Sequence, residues 1–207
     1  MDSMARLKHM RPKFAGFALF LPKIALWTAV CTSPISGAEI GSKLQNFRLK
    51  DVSGETKTLE SYSGKIVVFV FWSFKCPVSL AYNERVEKLQ AKYSARGIVV
   101  LGVASGSNDH AEEISANASN LKIQFPILLD PEGDLAEKLG ATHTPDVFIL
   151  DGKAALRYSG AFDNNKKLGE GGRIAYAEDA IDAILAGRAA PVSETRPFGC
   201  SIKRRNQ

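Results

Sequence analysis

The residue best placed for chemistry is Cys76, which lies between two segments of different hydrophobic periodicity. Before it, residues 66–72 are apolar or aromatic without interruption, which is typical of a strand buried on both faces. After it, apolar residues recur every three or four positions as far as Tyr93, which indicates one face of a helix that begins at Pro77. The N-terminus of a helix stabilises an anion, so this position predicts a nucleophilic thiolate.

Three polar side chains accompany this cysteine in the sequence. Lys75 precedes it and adds a positive charge that favours the thiolate. Ser73 and Ser79 lie three residues to either side, where each would donate a hydrogen bond to a thiolate or to a bound peroxide. Simple capping of the helix explains the two serines equally well, so both interpretations stay open.

The charge of the chain is concentrated at its N-terminus. The 207 residues carry a formal net charge of +5, from 27 Lys and Arg against 22 Asp and Glu. Residues 1–38 contain five of the basic residues and one acidic residue, which leaves 22 against 21 in the remainder. This near balance argues against nucleic-acid binding.

Residues 1–38 have the pattern of a signal peptide. A basic start leads to two apolar runs, and the small residues Ser36, Gly37 and Ala38 predict cleavage after Ala38. The alternatives are an uncleaved membrane anchor, although Pro22 and Lys23 interrupt the ~20 apolar residues that a span needs, and lipidation of Cys31. We expect an exported protein of a bacterial periplasm, with no stable membrane span after cleavage.

Cleavage would leave Cys76 and Cys200 as the two cysteines of the mature chain. A thiolate that attacks sulfur or oxygen forms a mixed disulfide or a sulfenic acid, which a second thiol must resolve. Ser79 is an alcohol and cannot do so, which makes Cys200 the only internal candidate. An external thiol reductant is the other possibility, and two unrelated thiols, one buried and one exposed, remain an alternative.

The periodicity of the remaining chain predicts a mixed central sheet with helices on both faces, an α/β class. Residues 98–103 form a second buried strand, parallel to the first in a βαβ unit. Further strands are expected at 44–49, 125–129, 147–150 and 155–158, and helices around 113–121, 133–140 and 176–185. Pro126 would place its strand near an edge of the sheet. No Cys and His spacing predicts a metal site, and no cofactor is expected.

Two motifs carry a resemblance to a known family. Residues 71–79, Phe-Trp-Ser-Phe-Lys-Cys-Pro-Val-Ser, resemble the active-site segment of thioredoxin-fold thiol–disulfide oxidoreductases. Thr144 and Pro145 resemble the cis-proline loop of that fold, where a backbone edge would lie against Cys76 and pair with an extended substrate. Together with residues 157–160 and a tail ending in Gly-Cys-Ser-Ile, the chain is similar to exported redoxins of the peroxiredoxin and thiol-oxidoreductase superfamily.

The resemblance implies a thioredoxin-like redoxin domain over residues 39–190, followed by a C-terminal tail, 191–207, that carries Cys200. It also implies thiol–disulfide exchange or peroxide reduction at Cys76, with a thiol, disulfide or peroxide as substrate. The family pattern has a second cysteine where this chain has Ser79. Two alternatives follow: a redox-silent module that holds an extended partner in the groove at Pro145, and a single-cysteine isomerase or thiol carrier.

Overall fold

The structure is a computed structural model that describes residues 37–106, 110–165 and 172–203. Of the predicted signal peptide, only Gly37 and Ala38 fall within these ranges, and residues 1–36 lie outside the described residues. Within the ranges described, none of the helices is long and apolar enough to cross a membrane.

The elements are numbered along the chain. The strands are β1 (Arg48–Asp51), β2 (Thr56–Thr58), β3 (Ile66–Phe71), β4 (Ile98–Ala104), β5 (Ile127–Leu129), β6 (His143–Thr144), β7 (Asp146–Leu150), β8 (Leu156–Gly160) and β9 (Cys200–Ser201). The α-helices are α1 (Pro77–Tyr93), α2 (Ala111–Asn120), α3 (Asp134–Leu139) and α4 (Tyr176–Leu185). Single turns of 3-10 helix span Leu59–Tyr62 and Ser94–Arg96.

Seven of these strands form one mixed sheet in the order β2-β1-β5-β4-β3-β7-β8. The pairs β3–β4 and β4–β5 are parallel, and the remaining pairs are antiparallel. All six side chains of β3 are buried, as expected for an apolar strand with a neighbour on each side and helices above and below. The predicted α/β class, mixed sheet and parallel β3–α1–β4 unit are confirmed. β6 and β9 form a separate two-stranded sheet.

Two apolar clusters cover the two faces of the sheet. On one face, buried residues of α1, α2 and α4 pack with alternate residues of the strands, such as Val68 and Val70. On the other face, Leu135 and Leu139 of α3 pack with the opposite side chains, including Phe69. The alternation follows from the two-residue period of a strand, which sends successive side chains to opposite faces.

Helix α1 begins and ends as its sequence indicates. Pro77 occupies its first position, where the missing N–H would have had no partner. Its buried side chains Tyr82, Val86 and Leu89 recur at helical spacing and face the sheet. Beyond the 3-10 turn that follows α1, Gly97 adopts the left-handed conformation with φ of 75°, which glycine accepts without steric cost.

Two details of the predicted sheet are wrong. The first strand is Arg48–Asp51 rather than 44–49, and Leu44 and Phe47 instead pack into the core from the segment before it. The strand at 125–129 is shorter, beginning at Ile127, and it lies inside the sheet between β1 and β4. Pro126 is compatible with this interior place because it precedes the strand and contributes only its carbonyl, which accepts the Gly102 N–H at 2.9 Å.

Candidate active site

Cys76 lies at the junction that its sequence predicts. It follows the buried strand β3 by a short turn and is the N-cap residue of α1, in extended conformation with φ of −99° and ψ of 113°. Its backbone carbonyl already accepts the Leu80 N–H at 3.1 Å, which is the first helical hydrogen bond. The side chain is only 1% exposed. A thiol is thus held at a helix N-terminus with almost no contact with bulk water.

Thr144 lies directly against this thiol. The Cys76 Sγ donates a hydrogen bond to the Thr144 carbonyl oxygen at 3.0 Å. The Thr144–Pro145 peptide bond is cis, as the family resemblance implied. Thr144 is the last residue of β6 and Pro145 connects it to β7, whose pairing with β3 brings both residues next to Cys76.

The C-terminal tail returns Cys200 to the same place. Strand β9 pairs antiparallel with β6, and this register sets Cys200 opposite Thr144. The Thr144 Oγ1 donates to the Cys200 carbonyl at 3.4 Å. Cys76 and Cys200 are both free thiols, the first buried and the second partly exposed, and their side chains hydrogen-bond each other.

The two thiols differ in acidity. Burial by itself raises the pKa of Cys76, but hydrogen bonds from the side chains of Cys200 and Thr144 and from the backbone N–H groups of Ser79 and Cys200 outweigh it, and the pKa falls to about 7. The hydrogen bond to Cys76 raises the pKa of Cys200 to about 11, with burial and the neighbouring charge adding to it. Near neutral pH, Cys76 is therefore partly ionised, while Cys200 stays protonated and donates to it; the hydrogen bond to the Thr144 carbonyl belongs to the protonated form of Cys76.

The two serines have different surroundings. Ser79 is fully buried, and its backbone N–H helps to lower the pKa of Cys76, while its Oγ has no hydrogen-bond partner among the described residues. Ser73 forms the turn before α1, because its Oγ accepts the Lys75 N–H at 3.2 Å and its carbonyl accepts the Cys76 N–H at 3.1 Å. The Lys75 Nζ forms an ion pair with the Glu113 Oε2 at 3.0 Å. The Glu113 carboxylate therefore offsets part of the positive charge near the thiol.

An open cavity of about 290 Å³ gives access to the two cysteines. Its lining combines the active-site turn, the loop after β4 and the tail: Ser73, Lys75, Cys76, Ser105, Gly106, Thr144, Cys200, Ser201, Ile202 and Lys203. The cavity is small for a ligand site, at the lower end of the usual range. The part of the chain that the structure describes contains no cluster of three His, Cys, Asp or Glu side chains placed to hold a metal ion.

Sequence reasoning missed one buried carboxylate near the site. Asp146 directly follows Pro145, is 2% exposed, and accepts the Thr142 N–H on Oδ2 at 3.1 Å. Its Oδ1 has no hydrogen-bond partner in the described ranges. Burial raises the pKa of Asp146 to about 7, although nearby backbone N–H groups oppose it. An acidic residue at the start of the apolar run 147–150 was the signal that could have identified it.

His143 has a structural role in β6 and is not part of the site at Cys76. Its Nδ1 hydrogen-bonds to the Thr142 Oγ1 at 2.8 Å, and its backbone pairs with Ser201. It lines a separate hollow formed with residues 196–199 rather than the cavity at Cys76.

Comparison with known proteins agrees with this geometry. The sequence matches the AhpC/TSA family over residues 40–159, which is more than half of the chain. The chain belongs to the AhpC/TSA family. The matched residues include the segment of Cys76 and the cis-proline loop, whereas the tail with Cys200 lies beyond them.

Relatives of this AhpC/TSA protein include thioredoxin-like and thiol:disulfide interchange proteins. It is 30% identical over 121 residues to the thioredoxin-like protein YneN of Bacillus subtilis (strain 168), across 58% of this chain and 71% of the relative. It is 28% identical over 137 residues to the thiol:disulfide interchange protein DsbE of Yersinia pestis, across 65% and 70%. A solved structure of a hypothetical protein from Sinorhizobium meliloti 1021 is 26% identical, with a TM-score of 0.75 over 83% of this chain and 98% of the other.

The family match and the relatives together confirm that the chain is a thioredoxin-fold redoxin with a thiol-dependent redox function. The chain is therefore an oxidoreductase. They do not favour the alternative of a redox-silent binding module. The structure agrees, because the groove at Pro145 contains two free thiols and the tail of the chain itself.

Proposed function

We propose that Cys76 is the nucleophile and Cys200 the resolving thiol of a two-cysteine redox cycle. The observation that carries the proposal is the register of β9, which sets Cys200 opposite Thr144 while the Thr144 carbonyl accepts the hydrogen bond of Cys76. The difference in pKa between the two thiols supports the assignment of roles, since the group with the lower pKa attacks first.

In the first step, the Cys76 thiolate attacks a substrate disulfide or peroxide. With a disulfide, a new S–S bond forms to one substrate sulfur and the other leaves as a thiolate. With a peroxide, the O–O bond breaks, Cys76 becomes a sulfenic acid, and the remaining alkoxide or hydroxide takes up a proton. The backbone N–H groups of Ser79 and Cys200 donate the hydrogen bonds that hold the attacking thiolate in place.

In the second step, Cys200 attacks the modified Cys76 sulfur and an intramolecular disulfide forms. The leaving group is the substrate thiolate from a mixed disulfide, or water from the sulfenic acid. Cys200 becomes easier to ionise at this stage, because its raised pKa depends mainly on the Cys76 thiolate that the first step consumes. An external dithiol then reduces the disulfide with two electrons and completes the cycle.

In this proposal, Cys200 of the tail replaces the second cysteine that the family pattern has at the position of Ser79. An alcohol does not ionise near neutral pH, and the Oγ of Ser79 makes no hydrogen bond within the described residues. The single-cysteine isomerase or carrier remains the second candidate, because the partly exposed Cys200 belongs to a terminal segment outside the matched family region. It differs from the proposal in requiring an outside thiol for resolution.

We also propose that the protein works outside the cytoplasm, in a bacterial periplasm. The signal-peptide pattern of residues 1–38 supports export, and an oxidising compartment allows the Cys76–Cys200 disulfide to persist between cycles. Mass spectrometry of the protein from the periplasmic fraction, with its N-terminal residue at Glu39, would support this location. An intact N-terminus in the cytoplasmic fraction would contradict it.

The cycle is tested by treating the reduced mature chain, residues 39–207, with one equivalent of hydrogen peroxide and mapping its peptides by mass spectrometry. We expect the loss of two hydrogens and a disulfide-linked peptide pair that contains Cys76 and Cys200. In the Cys200→Ser variant, one oxygen should stay on Cys76 until an added thiol removes it. A wild-type chain that accumulates oxygen on Cys76 with Cys200 still free would refute the resolving role, and an unreactive Cys76 would refute the nucleophile.

A further inference from the structure

Strand β6 presents a backbone edge in contact with the nucleophile. The Thr144 carbonyl, which accepts the Cys76 hydrogen bond, belongs to it. Extended polypeptides bind exposed strand edges through main-chain hydrogen bonds, and they do so as an added strand. A polypeptide that offered its disulfide to Cys76 would use this edge, so the availability of β6 decides whether such a substrate reaches the thiol.

In this chain the edge is already paired. β9 lies antiparallel to β6, with Thr144 opposite Cys200 and His143 opposite Ser201. One residue further along, the Ile202 N–H donates to the Thr142 carbonyl at 2.9 Å. The segment of residues 198–202, called the tail segment here, thus occupies the place of an added strand. Its own cysteine stands where the sulfur of a bound polypeptide would be.

The tail segment is packed tightly onto β6. A Cβ added at Gly199 would come within 2.1 Å of the Thr144 carbonyl oxygen and 3.4 Å of the Pro145 Cδ. Gly199 also has a φ of +136°, which side-chain-bearing residues rarely adopt. Glycine is therefore needed at this position for the backbone to approach so closely.

Side chains on both sides of this contact anchor the segment. Phe198 packs edge-on against Tyr82 of α1, with 6.1 Å between ring centroids. Ile202 is 7% exposed and joins the core cluster on the α3 face. Upstream, the Thr195 Oγ1 accepts the Ala161 N–H at 2.8 Å, which ties the start of the tail to the end of β8. The segment is thus a folded part of the site rather than a loose end.

We propose that the tail segment acts as a built-in substitute for a polypeptide substrate and restricts Cys76 to small disulfides or peroxides that enter through the cavity. The inference rests on the proposed function of Cys76 and specifies its substrate class. Extended polypeptides are excluded because the edge that would hold them is paired within the chain. The remaining access route is the cavity of about 290 Å³, which has room for a small molecule and not for a strand.

The test compares two probes that present the same sulfur. One is N-acetylcysteine amide and the other an unstructured peptide with one central cysteine, each as its symmetric disulfide. Attack on either sulfur then places the probe on Cys76 and releases one probe thiol, so the rate ratio isolates the effect of the flanking polypeptide. The rate of Cys76 modification is followed by peptide mapping in the Cys200→Ser variant of the mature chain, residues 39–207, which retains the tail but has no second thiol to resolve the product.

We expect the small probe to react at least about tenfold faster than the peptide, because the peptide binds only the fraction of molecules in which the tail segment has opened. Adding Gly199→Ala, whose Cβ clashes with Thr144, should reduce this ratio to near unity. A chain that ends at Pro197 should have the same effect. Gly54→Ala is the matched control: this glycine has a φ of +85° with nothing within 4 Å, and the ratio should not change.

Equal or faster reaction of the peptide in the Cys200→Ser chain would overturn the proposal, and this outcome needs no further variant. A preference for the small probe that persists both in Gly199→Ala and in the shortened chain would also overturn it, since the tail would not be the cause. Failure of both probes to modify Cys76 in every variant is a different result, because it refutes the proposed nucleophile itself.

Discussion

The buried carboxylate of Asp146 makes the stability of this protein depend on pH in a calculable way. Burial raises the pKa of Asp146 from its ordinary value of 3.8 to about 7. A carboxyl group with a raised pKa in the folded state contributes stability that is fully present below its unfolded pKa. That stability is lost as the pH rises through the folded value, because the charged form is then buried.

The size of the effect follows from the shift. Each pK unit corresponds to about 1.36 kcal/mol, so a shift of about three units amounts to about 4 kcal/mol between acidic and alkaline conditions. Asp146→Asn keeps an oxygen that accepts the Thr142 N–H but stays neutral at every pH. We therefore expect the free energy of unfolding of the variant, relative to wild type, to rise by about 3–4 kcal/mol from pH 4 to pH 8.

The assay is urea unfolding under reducing conditions at a series of pH values, with both proteins measured in parallel. Both proteins retain Cys76. Because its pKa is lowered to about 7, this thiol adds stability as the pH rises, the reverse of Asp146, but its contribution is the same in both proteins and cancels in the difference. Asn120→Gln, at the exposed end of α2, is the control and should show a small difference that does not vary with pH, because it changes no titratable group. A pH-independent difference for Asp146→Asn, or one that falls as the pH rises, would refute the reasoning.

Two further substitutions examine the hydrogen bonds of the nucleophile. Cys200→Ala should raise the pKa of Cys76 above about 7, since the hydrogen bond from Cys200 is the largest of the effects that lower it and alanine has no donor. The midpoint is read from the pH dependence of Cys76 alkylation, and an unchanged midpoint would contradict the thiol–thiol contact. Ser79→Ala should leave that midpoint unchanged, because Ser79 acts through its backbone N–H. The substitution should also raise the free energy of unfolding by about 1 kcal/mol, because it removes a buried hydroxyl that has no partner among the described residues. A large upward shift of the alkylation midpoint would instead show that the Ser79 hydroxyl stabilises the thiolate.

The amino-acid sequence by itself determined the elements on which the site is built. An uninterrupted apolar run, a short polar turn and a helical period predicted β3, α1 and the position of Cys76 between them. These signals are local, because the period of the side chains along a segment reflects which faces that segment buries. The family motifs added the cis Thr144–Pro145 bond and the thioredoxin-like order of elements.

The tertiary structure decided how distant segments meet. The position of β5 inside the sheet was not predictable from Pro126, because strand order depends on long-range pairing and not on the composition of one strand. In the same way, the sequence offered Cys200 as a candidate thiol, but only the register of β9 on β6 places it beside Cys76. The pKa values of Cys76 and Asp146 depend on burial and on hydrogen bonds from other segments, which exist only once the chain has folded.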